Sequence, residues 1–228
     1  MELLIAVTLV ALLSVGLLFA MRVGLNAMER ANDRLMGNRK VVSVERILEE
    51  QVAGLMPVTA LCAPEGEGPA AKIAYFQGEE TTMRFVSSYS MQEGARGAAL
   101  ILEFQVIPGA ENKGVRLVVN EMLYTGPRSA GATCVGAPRE TGPVFRPVEV
   151  GPASFVLADK LAYCRLSYRE ALPPPELSRW VVRWIKPVLP TAIRVDMTPL
   201  AQDAARVQLR TMTIPVHVNR YPMERYDF

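Results

Sequence analysis

Histidine and cysteine are scarce in this sequence. Its 228 residues hold one histidine, His217, and three cysteines, Cys62, Cys134 and Cys164. His217 sits between Val216 and Val218, with no second histidine and no cysteine or carboxylate cluster beside it, so neither a metal centre nor imidazole acid–base chemistry is expected. Three scattered cysteines are too few for a zinc motif or a disulfide scaffold. Three free, mostly buried thiols are the expectation; one disulfide with a thiol left over is the alternative for an exported domain. Charge of one sign is also missing: 25 Lys and Arg against 23 Asp and Glu leave a net +2, which gives no basic stripe and no nucleic-acid partner. G-x-S-x-G, G-x-G-x-x-G, Walker A and H-E-x-x-H patterns are all absent, so no enzyme, catalytic residue or cofactor is predicted. Ser87-Ser88-Tyr89-Ser90 offers hydroxyls without a base, and the polar end of a strand explains it. Glu65-Gly66-Glu67-Gly68 and Gln77-Gly78-Glu79-Glu80 lack the spacing of a calcium loop and read as solvated turns.

What the chain does have is an apolar start. From Leu3 to Met21 there is no charge, and the first comes at Arg22. As a helix, this run is roughly 28 Å long, close to the hydrocarbon thickness of a bilayer, so residues 3–21 are predicted to be transmembrane. Glu2 stands at its lip. An unpaired carboxylate drawn into lipid costs roughly 2–4 kcal/mol, so Glu2 either stays among headgroups or meets a cation on another chain.

Beyond Arg22 the pattern becomes amphipathic. Leu25, Met28, Leu35, Val41, Val44, Leu48, Val52 and Leu55 recur mostly at spacings of three and four between charged residues. Residues 22–56 are predicted to be an amphipathic stalk, with Val41, Val44, Leu48, Val52 and Leu55 packing on a sheet. Gly24 and Gly37-Asn38 are weak points, and Pro57 marks the end. One helix over residues 1–56 would be roughly 80 Å long.

Residues 57–228 read as a β-rich globular head without an internal repeat, giving an α+β class overall. Leu102–Val106 and Val115–Val119 alternate across the turn Pro108–Gly114 as a hairpin. Ile73–Phe76 and Thr82–Val86 suggest a second hairpin around Gln77–Glu80. Further candidate strands are Ser154–Leu157, Leu161–Tyr168, Arg179–Lys186, Ala192–Met197 and Arg206–Val218, with Pro215 marking an edge or break in the last. Trp180 and Trp184, four apart, are assigned to one face of a strand. The Gly/Pro-rich stretch Thr125–Pro152 reads as a long loop, either for binding or simply flexible.

The opening Glu2-Leu3-Leu4-Ile5-Ala6-Val7 and the long apolar helix after it resemble the N-terminal signature of type IV pilins and type II secretion pseudopilins. Val44–Glu49, the strand Leu161–Tyr168, Trp180 and Trp184, and Leu189-Pro190-Thr191-Ala192-Ile193-Arg194-Val195 are similar to the corresponding parts of J-type minor pseudopilins. The resemblance implies a pilin-like fold and a single-pass protein of the bacterial inner membrane with a periplasmic head. It also implies assembly at a filament tip with I- and K-type minor pseudopilins and the major pseudopilin, in aid of protein export. Glu2 matches the family's assembly glutamate, which meets the N-terminal amine of a neighbouring subunit. Arg22, Arg30, Arg34, Arg39 and Lys40 all lie downstream of the apolar run, against the orientation the family adopts. The expectation is therefore a short basic leader before Glu2, ending in glycine and removed by a prepilin peptidase, with Met1 a misplaced start. A cleaved secretory signal fits less well, since no basic n-region precedes the run. Two alternatives stand: a minor pilin of a motility or DNA-uptake filament, and a membrane-anchored periplasmic enzyme or binding domain.

Overall fold

The computed structural model of the protein describes residues 2–63, 69–137, 142–201 and 211–218. Helix α1, Glu2–Ala53, has 52 residues and a length of roughly 78 Å. It continues through Gly24 and Gly37-Asn38 without a break in helical assignment. It stops short of Met56: Leu55–Met56 form strand β1, so Leu55 packs from a strand rather than from the helix. The sheet supplies the reason. The last carbonyls of a helix need outside donors. Ser87 Oγ donates to the Gln51 carbonyl at 2.8 Å, and the Ser88 amide donates to the Gly54 carbonyl at 2.9 Å. A Cβ on Gly54 would lie 2.6 Å from Ser87 Oγ, so only glycine permits this approach.

The remaining elements follow in order. Strands β2 (Thr59–Cys62), β3 (Ala71–Ala74), β4 (Gln77–Gly78), β5 (Thr82–Ser90) and β6 (Ala95–Pro108) lead through a 3-10 turn, Ala110–Asn112, to β7 (Val115–Leu123). Short helix α2 (Pro127–Gly131), β8 (Cys134–Gly136) and β9 (Val144–Phe145) precede the long β10 (Phe155–Ala171). Strands β11 (Ser178–Val181), β12 (Ala192–Pro199) and β13 (Met212–Pro215) close the described chain. Nine strands form one antiparallel sheet in the order β1-β5-β6-β7-β10-β12-β13, with β4 beside β5 and β11 beside β10. The fold is α+β.

The β6–β7 hairpin carries the alternating residues in register, with Phe104 opposite Val119 and Val106 opposite Leu117. Elsewhere the strands depart from the sequence pattern. The second hairpin uses Gln77–Gly78 against β5, while Ile73 belongs to β3, which pairs with β2 in a separate small sheet. Ser154–Leu157 and Leu161–Tyr168 are parts of β10, whose register to β7 shifts between Ala158 and Leu161; Lys160 there has φ 56°. Arg179–Lys186 is a strand only to Val181, so Trp180 and Trp184 do not share a strand face. Residues 206–210 lie outside the described residues. Pro215 ends the edge strand β13, where its missing N–H is harmless.

The sheet curls so that β4 and the turn after it meet β10 and the chain after β11. The Trp184 amide donates to the Gly78 carbonyl at 2.7 Å, the Leu166 amide to Glu80 at 2.8 Å, and the Tyr168 hydroxyl to Glu79 at 3.0 Å. A Cβ on Gly78 would lie 2.8 Å from the Tyr168 ring, so a side chain there would force this closure apart. Helix α1 lies against β5, β10 and β13. Val44, Leu48 and Val52 of the helix, with Leu55, join Phe85, Leu102, Phe104, Leu117, Val119 and Ile193 in the main core. On the opposite face of the sheet, β2, β3 and α2 cover a smaller cluster of Ala60, Tyr75, Val86, Ile101 and Ala130.

Candidate assembly surface

The two halves of α1 meet different surroundings. Ile5–Glu29 is long and apolar enough to cross a membrane, and none of its described side chains is buried inside the molecule. Leu13 is 73 % exposed and Phe19 70 %. A contiguous apolar surface of this size is unfavourable in water, so lipid or other protein must cover it. Met21, Val23, Leu25 and Met28, at and beyond the end of the predicted 3–21, are exposed as well. Glu2 is exposed in the first helical turn.

Helical spacing turns Val44, Leu48 and Val52 onto one face, where each is at most 7 % exposed. Val41 is half-buried at the rim of this contact, and Val42 faces solvent. Gln51, fully buried in the same region, leaves both side-chain polar atoms without a partner. The sequence pattern could not place it, since a lone glutamine beside an apolar stripe looks like its solvated margin.

The stretch Thr125–Pro152 also takes on definite structure. Segment Val144–Ser154 lies over a polar row on the sheet face turned from α1. Arg84, Glu103 and Asn120 are cross-strand partners in that row. Arg84 Nε donates to Glu103 Oε1 at 2.6 Å, one Arg84 Nη donates to the Gln77 side-chain oxygen, and the other to the Arg146 carbonyl at 2.6 Å. Asn120 donates to the Glu149 carbonyl at 2.9 Å and accepts from Ser154 Oγ at 2.6 Å. Arg84 is 1 % and Glu103 6 % exposed. The expectation of three free thiols is overturned, because Cys62 and Cys134 form a disulfide between β2 and β8. Their 72-residue separation hides the pairing in the sequence; the fold brings their Cα atoms to 5.4 Å. Cys164 is the free, buried thiol, its pKa pushed up to about 12 by burial and then by Asp196.

His217 is exposed, and no group of three or more metal-ligating side chains occurs among the described residues. Glu79 and Glu80 are exposed beside the closing turn, and Glu65-Gly66-Glu67-Gly68 lies outside the described residues. Ser87 and Ser88 serve the end of α1. Burial raises the pKa of the Tyr75 hydroxyl to about 12, and that of Tyr168 well above the ordinary range. No known protein family matches the chain, and no curated protein matches it.

Proposed function

We propose that the chain is a minor pseudopilin of J type, a structural subunit at the tip of a type II secretion pseudopilus. One observation carries the reading: a single helix whose apolar first part is exposed at every described side chain and whose last part is locked under a sheet. In this reading the first part waits in the bacterial inner membrane and then packs against the helices of I- and K-type and major pseudopilins. Locking of the last part lets movement of the helix carry the head with it. A head in the periplasm agrees with the Cys62–Cys134 disulfide, since such bonds persist in oxidising compartments. Glu2 supplies a carboxylate whose pairing with a neighbour's terminal amine is strengthened by the low dielectric around it.

The test replaces Glu2 with Ala or Gln in a chain co-expressed with the other pseudopilins. Glu2→Ala should still reach the membrane fraction, because lipid tolerates alanine, but its photo-crosslinking to partner subunits should fall sharply. Glu2→Gln should be intermediate, since it keeps an acceptor and loses the charge. Equal crosslinking for all three proteins would defeat the role of Glu2; no crosslinking by the parent chain would defeat the pseudopilin reading itself.

A further inference from the structure

The side of β10, β11 and β12 turned away from the core carries a patch of arginines and aromatic rings. On β10, Cys164, Leu166 and Tyr168 are buried, and alternation places Tyr163, Arg165 and Arg169 on the outer side. Trp180 is the cross-strand partner of Arg169, and Ser167 that of Arg194. Arg169 and Arg194 are therefore diagonal neighbours on adjacent strands. The Arg194 guanidinium reaches across β10 to lie 3.9 Å from the Trp180 ring centroid, within cation–π range. Arg169 is fixed by its own bond, Nε to Thr191 Oγ1 at 2.9 Å.

Like charges on diagonal positions are about 7–8 Å apart, close enough for one anionic group to lie between their long side chains. Among the described residues neither arginine has a carboxylate partner. The acids nearby have other partners, although Asp196 shares the outer face of β12 with Arg194. Asp196 accepts from Thr211 at 2.7 Å, Glu80 pairs with Arg165 at 3.5 Å, and Glu170 is held by Arg179 and Lys186. The buried Nε of Arg194 has no acceptor.

We propose that this patch docks an acidic segment of a partner protein, with carboxylates bridging Arg169 and Arg194 beside the Trp180 ring. Guanidinium forks match carboxylates in geometry, and Trp, Tyr and Arg are the residues that anchor protein interfaces. Both cations are held in place, one by a ring and one by a hydroxyl, which suits a folded partner more than a fluid layer of headgroups. The inference concerns a face of the head turned away from α1 and stands apart from the filament reading.

The experiment uses the full chain in nonionic detergent and a synthetic peptide of alternating aspartate and glycine. Binding is followed by peptide anisotropy and by tryptophan emission. Saturable binding is expected, weakened about tenfold by the Arg169→Gln, Arg194→Gln pair and less by Trp180→Phe, and falling with salt. An asparagine–glycine peptide should not bind. Absence of saturable binding, or equal binding by the double variant, would overturn the proposal. So would vesicles of phosphatidylglycerol or free phosphate competing as well as the peptide, because the patch would then take anions in general.

Discussion

On the side facing α1, strands β5, β6 and β7 present Met83 and Phe85, Leu102 and Phe104, Leu117 and Val119, all fully buried. On the other side the same three strands present Arg84 and Glu103, nearly as deep, and the half-buried Asn120. The first face is held by burial of apolar area and by ring stacking such as Phe85 on Phe104, with centroids 5.6 Å apart. Contacts of that kind are many, and none is obligatory. The second face has its own apolar cluster around Val86 and Ile101, and beside it a polar row held by a few directional bonds to the Val144–Ser154 segment, where each lost partner exposes another group to desolvation. The apolar face should therefore fail when charge is put in, and the polar face when charge is taken away on one side only.

Charge put in gives the largest effect. Leu48 is 1 % exposed at the centre of the contact between α1 and the sheet. Leu48→Asp removes a buried side chain and leaves a carboxylate without a partner, a combined loss of about 4 kcal/mol. Urea denaturation of the full chain in detergent, followed by tryptophan emission, should show an earlier midpoint. An unchanged midpoint would mean that the helix end does not pack on the sheet.

The polar face gives a smaller and more diagnostic effect. Arg84→Met should cost about 3 kcal/mol, because Glu103 stays buried without its cation. Adding Glu103→Leu should recover most of the loss, since a pair of apolar residues can replace a buried ion pair at little net cost. A double variant at least as weak as the single one would show that bonds to Gln77 and to the Arg146 carbonyl, rather than the ion pair, hold the segment. Additive losses would remove the coupling altogether.

The same contrast explains what could be read from the sequence. Apolar residues at helical or strand spacing point to a shared core, so the apolar run, the stripe Val44–Leu48–Val52 and the β6–β7 hairpin were legible. Charged residues carry no such signal. Arg84 and Glu103 alternate with apolar neighbours as solvent-facing residues would, and only the return of a distant Gly/Pro-rich segment buries them. Gly78 looked like a turn residue, yet it lies in a strand because Trp184 and Tyr168 close over it. The disulfide and the Arg194–Trp180 stack likewise depend on contacts between elements, which periodicity within one element does not encode. Of helix α1, the apolar run was legible; the depth of Gln51 at its sheet-packed end was not.

The smallest predicted effect lies where the apolar face ends. Glu170 shares the inward side of β10 with Leu166 and Tyr168, and its side chain is only 4 % exposed. It accepts from Lys186 Nζ and from Arg179 Nε, the latter at 2.9 Å. These two bonds, Lys186 first, lower its pKa, with burial opposing them. A carboxyl whose folded pKa is lowered contributes stability above its unfolded pKa and loses that contribution as pH falls through the folded value. The unfolded value is about 4.3, so the contribution should be complete at neutral pH and fade in the acid range below about pH 4. Glu170→Gln keeps the shape and removes the titration. The gap in urea midpoint between parent and variant should therefore be wide near neutral pH and shrink on acidification. Both cations are in contact with solvent, so about 1 M salt should narrow the neutral gap as well. A gap that stays constant with pH would show that Glu170 contributes as a neutral hydrogen-bonding group and that the end of the apolar face needs no charge.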